Sequence, residues 1–246
     1  MTEPIPRILC VLTQYKRTYL RQQLEAVRAQ TLSPTYVVVF QNESHVDISD
    51  LKKEFGFLHI HSDYNTKYFG RFAACFTFPV DVCIVMDDDI IPGPRCFETY
   101  VNECLKRNAI MGGNGRIGQL NPNRSALLAP PDVGVRPESV RVDFVGHMWV
   151  FKKSWLHYMF ARAPATYDTG EDMHFCFSAQ MDGNIASYAC KQTCEAEMCD
   201  TSYNRYAADV HASFRTTSAD LRRSVEAHFV ALGFKMIISQ APAHSR

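Results

Sequence analysis

The sequence predicts a Rossmann-like α/β protein, with a mostly parallel central sheet, helices on both faces and a smaller second lobe. Three observations carry this reading. Apolar runs of buried-strand type recur between turn signals, stretches of helical spacing separate them, and the two kinds alternate along the first half of the chain.

Arg7 to Leu12 is the first apolar run, and Thr13 to Arg17 follow as a polar loop. Tyr19, Leu20, Leu24 and Val27 then recur at helical spacing through Gln30, with charges on the other face. Ser33-Pro34 stops that helix, and Tyr36 to Phe40, Tyr-Val-Val-Val-Phe, is a second buried strand. Strand, helix and strand at this spacing form a βαβ unit, which implies parallel strands and a right-handed crossover. Ile48 to Phe55 reads as a short helix, Leu58 to His61 as a short strand and Arg71 to Phe78 as helix. Val82 to Met86, Val-Cys-Ile-Val-Met, is a third strong strand, ended by three aspartates. Pro94 to Arg107 follows as a helix, with Pro near its start and apolar residues at Phe97, Tyr100, Val101 and Leu105.

From Ala109 the texture changes. Gly112 to Arg136 is rich in Gly, Asn and Pro and reads as loops with at most short strands. Arg141 to Phe151 is strand-like, Ser154 to Arg162 and Asp172 to Met181 are helices, and Ile185 to Ala189 is a last strand. Thr201 to Thr217 is mostly loop by composition, and Leu221 to Phe234 is a terminal helix. The 246 residues suit a single α/β domain, here in halves 1–108 and 109–246 over one sheet.

Composition narrows the function classes. A hydrophobic content of 46% with 12% aromatic residues supplies a sizeable core and argues against disorder. Lys plus Arg equal Asp plus Glu at 26 each, which gives no support for a nucleic-acid partner. Cys10, Cys75 and Cys83 sit within apolar runs as small core side chains, and Cys190, Cys194 and Cys199 lack the C-x-x-C pairs of structural zinc. That usage suits a reducing compartment. The opening Met-Thr-Glu-Pro-Ile-Pro-Arg has no signal-peptide pattern, and no apolar run approaches the ~20 residues of a membrane-spanning helix. The chain reads as cytoplasmic.

The strongest chemical signal is Asp87-Asp88-Asp89 directly behind the Val82 to Met86 strand. Carboxylates packed this tightly raise one another's pKa unless a cation sits among them. At the carboxyl end of a strand in an open α/β sheet they face the crevice where ligands bind. Hard oxygen ligands suit Mg²⁺ or Mn²⁺, which prefer one or two carboxylates plus substrate phosphates. The plainer reading is an acidic turn in front of the helix that starts near Pro94. The triplet lacks the alternate-residue ligands and the closing Glu of an EF-hand, which weighs against that reading. A second acidic signal is Gly170-Glu171-Asp172 ahead of a helix; a carboxylate there can act as general base, or it can simply complement the helix dipole. Gly112-Gly113-Asn114-Gly115 lacks the Lys-Ser/Thr of a P-loop and reads as a flexible loop.

A strand ending in an Asp-x-Asp cluster after a first βαβ unit resembles the nucleotide-sugar transferases of the GT-A fold. Leu24 to Gln30, then Leu32-Ser33-Pro34 and a Val-rich strand, is similar to the opening of their large inverting family two. Looser resemblances run to the exostosin-like transferases and to compact transferases of large DNA viruses. The family-two resemblance covers residues 7 to 211 and implies a transferase using Mn²⁺ or Mg²⁺, a UDP- or GDP-sugar donor and a glycan or glycoconjugate acceptor. It implies Asp87 and Asp89 as metal ligands, with His211 as a third, and places Asp87 and Asp88 at the donor. It implies Thr13, Gln14, Tyr15, Arg17, Gln41 and Asn42 at the nucleotide, with Glu43 just after, and Arg71 near the donor. Asp172 becomes the base, with Glu171 binding acceptor or orienting Asp172; Trp149 stacks on a sugar ring at the acceptor side, and His147 contacts phosphate or acceptor. Inversion is the expected outcome. The competing functions are a retaining exostosin-like transferase, a sugar-nucleotide nucleotidyltransferase and a non-catalytic carbohydrate- or metal-binding module. The absence of glycine from Thr13 to Arg17 weighs against the nucleotidyltransferase.

Overall fold

The computed structural model of the chain describes residues 5–118, 127–128, 134–201, 209–211 and 219–237. Ile8–Gln14 (β1) lies between Tyr36–Asn42 (β2) and Val82–Met86 (β4), and Leu58–Ser62 (β3) adds to β2; all three pairings are parallel. A central parallel strand is covered on both faces, so its residues are apolar without alternation. Accordingly, every residue of β4 and all of β1 but Thr13 are buried.

Leu20–Arg28 (α1) packs its stripe of Leu20, Leu24 and Val27 on the sheet, and Gln23 shares that buried stripe. Ser49–Phe55 (α2) connects β2 to β3. The segment expected as a helix over Arg71 to Phe78 is one turn, Gly70–Ala73 (α3), continued by a 3₁₀ turn to Thr77. Cys96–Arg107 (α4) buries Phe97, Tyr100, Val101 and Cys104, while Leu105 points out at 39% exposure. The stripe is completed by a cysteine behaving as a small apolar side chain rather than by the leucine.

The second half departs from a loop-rich lobe. Ile110–Ile117 (β5) is an eight-residue, largely buried strand. Leu127–Leu128 (β6) and Val140–Val142 (β7) are short, and Phe144–Lys152 (β8) is long. His157–Phe160 (α5), Glu171–Gly183 (α6), Ser187–Ala189 (β9) and Ala219–Ala231 (α7) complete the elements. Among the described residues these strands make one nine-stranded sheet in the order β3-β2-β1-β4-β8-β5-β9-β7, with β6 beside β5. The sheet is parallel through its first four strands. β8 then runs antiparallel to both β4 and β5, and β9 is parallel to β5.

The glycines of β5 hide it from a sequence reading, because glycine is a poor strand former. Here the neighbours demand them. A Cβ on Gly112 would stand 2.2 Å from the Val145 Cβ, and one on Gly113 2.4 Å from the Cys199 Sγ.

An aromatic layer under α3 and α6 ties the two halves together. Phe72 meets Trp149 at 5.4 Å, and Phe151 meets Phe175 at 4.9 Å in a T-shaped pair. All nine cysteines are free, and only Cys194 is exposed. Among the described residues no helix is long and apolar enough to cross a membrane.

Candidate active site

Strand register gathers the polar residues at one edge. Leu12 pairs with Met86 and Met86 with Met148, so Thr13, Asp87 and His147 emerge side by side where β1 and β4 end and β8 begins. Backbone hydrogen bonds fix this edge: the Asp87 N–H donates to the His147 carbonyl at 3.0 Å. From α1, the fully buried Gln23 amide donates to the Asp87 carbonyl at 2.7 Å and to that of Ile90 at 3.0 Å. Gln23 is a site residue that sequence reasoning missed. Its signal was a glutamine inside the apolar stripe of Leu20, Leu24 and Val27.

Two buried arginines hold the aspartates. Arg17 pairs with Asp88, reaches Asp89 at 3.3 Å, and binds Asp209 at 2.8 Å. Arg71, 3% exposed, pairs with Asp87 and reaches Glu171 Oε1 at 2.8 Å. Burial works against a charged guanidinium, yet Asp87 and Glu171 push the Arg71 pKa above its ordinary value. The carboxylates still outnumber these cations. Burial, then repulsion from Asp87, raises Asp89 to about 7 despite Arg17. Burial, then Asp172, raises Glu171 to about 7 despite Arg71.

Glu171 and Asp172 form the first turn of α6. Asp172 Oδ1 accepts from the Met173 N–H at 2.8 Å, and Oδ2 accepts from Arg222 of α7 at 2.7 Å. Arg222 also donates to the Thr169 hydroxyl at 3.3 Å. Nothing in the sequence marked Arg222, which is one basic residue among several on a terminal helix. Asp209 was missed likewise.

The structure corrects several of the expected placements without touching the acidic pairs. Trp149 is 1% exposed, lies 4.7 Å beneath the Arg71 guanidinium and packs on Phe72, so it presents no ring face to a sugar. Thr13 donates to the Met86 carbonyl at 2.8 Å, and Gln14 donates to the Arg17 carbonyl at 2.7 Å. Gln41 donates to the Val46 carbonyl and bonds His59, while Asn42 accepts from the Thr66 N–H. These four side chains brace the loops at the ends of β1 and β2. Tyr15 remains at the rim, its hydroxyl accepting from Asn65 at 2.9 Å and its ring edge-on to His45 at 4.8 Å. Glu43 is also there, in left-handed backbone with φ 66°.

His211 is exposed, and its N–H donates to Asp209 Oδ1 at 2.8 Å. Among the described residues no group of three His, Cys, Asp or Glu side chains stands together as a metal site. His211 therefore does not complete a three-residue set with Asp87 and Asp89, whose carboxylates lie beside Arg71 and Arg17.

The charge excess reaches into α7, where Glu226 is raised to about 7 by burial, with Asp143 and Asp172 adding to the effect against Arg222. Its folded pKa lies above the ordinary 4.5, so its contribution to stability is full below pH ~4.5 and disappears as pH rises through about 7. Glu226→Gln is thus expected to match the native melting temperature at pH 4 and to exceed it at pH 8, read by calorimetry across that range.

No family model and no curated protein matches the sequence. The fold nonetheless has clear counterparts among solved structures, and it is the GT-A fold. S. aureus TarS aligns with a TM-score of 0.55 at 12% identity, over 76% of this chain and 36% of that one. The mannosyltransferase PcManGT from Pyrobaculum calidifontis, in complex with GDP-Man and Mn²⁺, aligns with 0.54 at 13% identity, over 80% of this chain and 57% of that one. TarS 1–349 in complex with UDP gives 0.54 at 12% identity, over 74% and 60%. The chain matches less than two thirds of the length of each of these neighbours.

Proposed function

We propose that the chain is a glycosyltransferase that moves a sugar from a UDP- or GDP-linked donor to a hydroxyl of a glycan or glycoconjugate, with inversion. The observation that carries this is the Arg71 bridge. One buried guanidinium joins Asp87 of the acidic turn to Glu171 of α6, so donor-side and base-side carboxylates are held together at the carboxyl edge of the parallel strands, where ligands bind in open α/β sheets. The neighbours with GDP-Man and Mn²⁺ or with UDP support the same reading.

The residues fit a hard divalent cation. Asp87 and Asp89 offer carboxylate oxygens, and burial, then the neighbouring carboxylate of Asp87, raises the Asp89 pKa even beside Arg17, a setting that a cation would relieve. They would hold Mn²⁺ or Mg²⁺, which would serve as a Lewis acid for the departing diphosphate. Arg17 adds a guanidinium beside the same oxygens, and Tyr15 faces the nucleotide. Asp172 takes the acceptor's hydroxyl proton on Oδ2, the oxygen that Arg222 orients. The freed oxygen forms its bond to the anomeric carbon as the bond to the diphosphate breaks on the opposite face, which inverts the centre. Glu171 flanks the acceptor and steadies Arg71.

The test is turnover on a panel of UDP- and GDP-sugars with Mn²⁺. Native protein is expected to release nucleoside diphosphate, and Asp172→Asn to lose transfer by about 10²–10⁴-fold while still binding donor. Native-like transfer by Asp172→Asn would remove the base assignment. Retention at the product's anomeric proton by NMR would replace inversion.

A further inference from the structure

The Gly-Gly-Asn-Gly segment, idle in the reaction above, forms part of β5 and carries an unusual pairing. His147 sits inside β8 with φ 68°, a left-handed conformation that costs a non-glycine residue about 1–3 kcal/mol and persists only where the surroundings impose it. The imposition is visible. The β5–β8 register shifts between Gly112 and Asn114, so Asn114 comes opposite Gly146. The Asn114 side chain is buried, at 6% exposure, and its Nδ2 lies 3.1 Å from His147 Nε2. Gly146 makes the room, since a Cβ there would stand 3.0 Å from Asn114 Oδ1. On its backbone side His147 accepts the N–H of Asp87, which anchors it to the acidic turn.

We propose that Asn114 is a positioning residue that fixes the tautomer and aim of His147, so that the imidazole donates from Nδ1 to a phosphoryl oxygen of the donor. The proposal rests on the transferase reading above. An amide N–H given to Nε2 makes that nitrogen the acceptor, and the single proton of the neutral ring then belongs to Nδ1. A donor held at the edge of the acidic turn meets the charge that grows on the leaving diphosphate, which favours the transition state over the ground state. The strained backbone and the bulge then have one shared purpose: they take His147 out of the regular strand geometry and hold its ring against Asn114 beside the acidic turn.

Two measurements test this. Nitrogen-15 NMR of histidine-labelled native protein is expected to show His147 with its proton on Nδ1, and Asn114→Ala to move it to Nε2. In kinetics, Asn114→Ala is expected to lower kcat by about 10–100-fold with little change in donor KM. His147→Asn, chosen because Asn tolerates left-handed backbone, should lose at least as much. The double variant should be no worse than His147→Asn alone. A native proton on Nε2, or additive losses in the double variant, would overturn the proposal. Were no sugar transferred by any form, the transferase reading would fail, while the tautomer would still be decided by NMR.

Discussion

Asp89→Ala is expected to reduce transfer by roughly 10³-fold or more, because a lost ligand removes several kcal/mol of charge stabilisation at the departing diphosphate. The same change should leave the fold at least as stable above neutral pH. Asp89 has its pKa raised to about 7 by burial, then by Asp87, so the ionised carboxylate weakens the native state as pH rises through that value. Activity and stability therefore move in opposite directions, as expected of a group kept for function. The check combines initial rates with thermal shift. Mn²⁺ with UDP or GDP should raise the melting temperature of the native protein and leave that of the variant where it was. A variant that transfers sugar at the native rate would end the metal–diphosphate reading.

Arg71→Ala should show the largest loss of stability, about 3–5 kcal/mol, because it removes the one guanidinium that pairs directly with both Asp87 and Glu171. It also strips the cation from the face of Trp149. Arg71→Lys should recover only part of this, since one ammonium cannot match a planar fork aimed at two acids. Urea unfolding of the three forms measures it, with the slope confirming that the transition is otherwise unchanged. An alanine variant as stable as the native protein would mean that the bridge contributes nothing.

The first half of the fold was legible because its central strands, β1 and β4, are buried on both faces. Val82 to Met86 and Tyr36 to Phe40 declare themselves by composition alone, and the aspartates at the end of β4 mark the crevice. The second half was not. β5 is made of glycines that the packing of Val145 and Cys199 requires, and local propensity reads such residues as loop. At the site, acids that follow a strand or open a helix could be picked out one by one. Their partners could not, because pairings such as Arg17 with Asp209 or Arg222 with Asp172 span long sequence separations. Trp149 was misplaced for a related reason. An aromatic in a strand next to a site has two possible faces, and only the position of Phe72 and Arg71 decides which one is covered.

The reach of α7 back to Asp172 bears on how the protein matures. Chains emerge from the ribosome amino end first, and the nine strands precede α7 in that order. Until Arg222 arrives, Asp172 lacks its guanidinium, and Phe177 lacks the ring of Phe229 at 5.3 Å. The site is thus completed by a segment made well after the sheet, so a nascent chain not yet extended through α7 holds the nine strands but leaves Asp172 without its guanidinium.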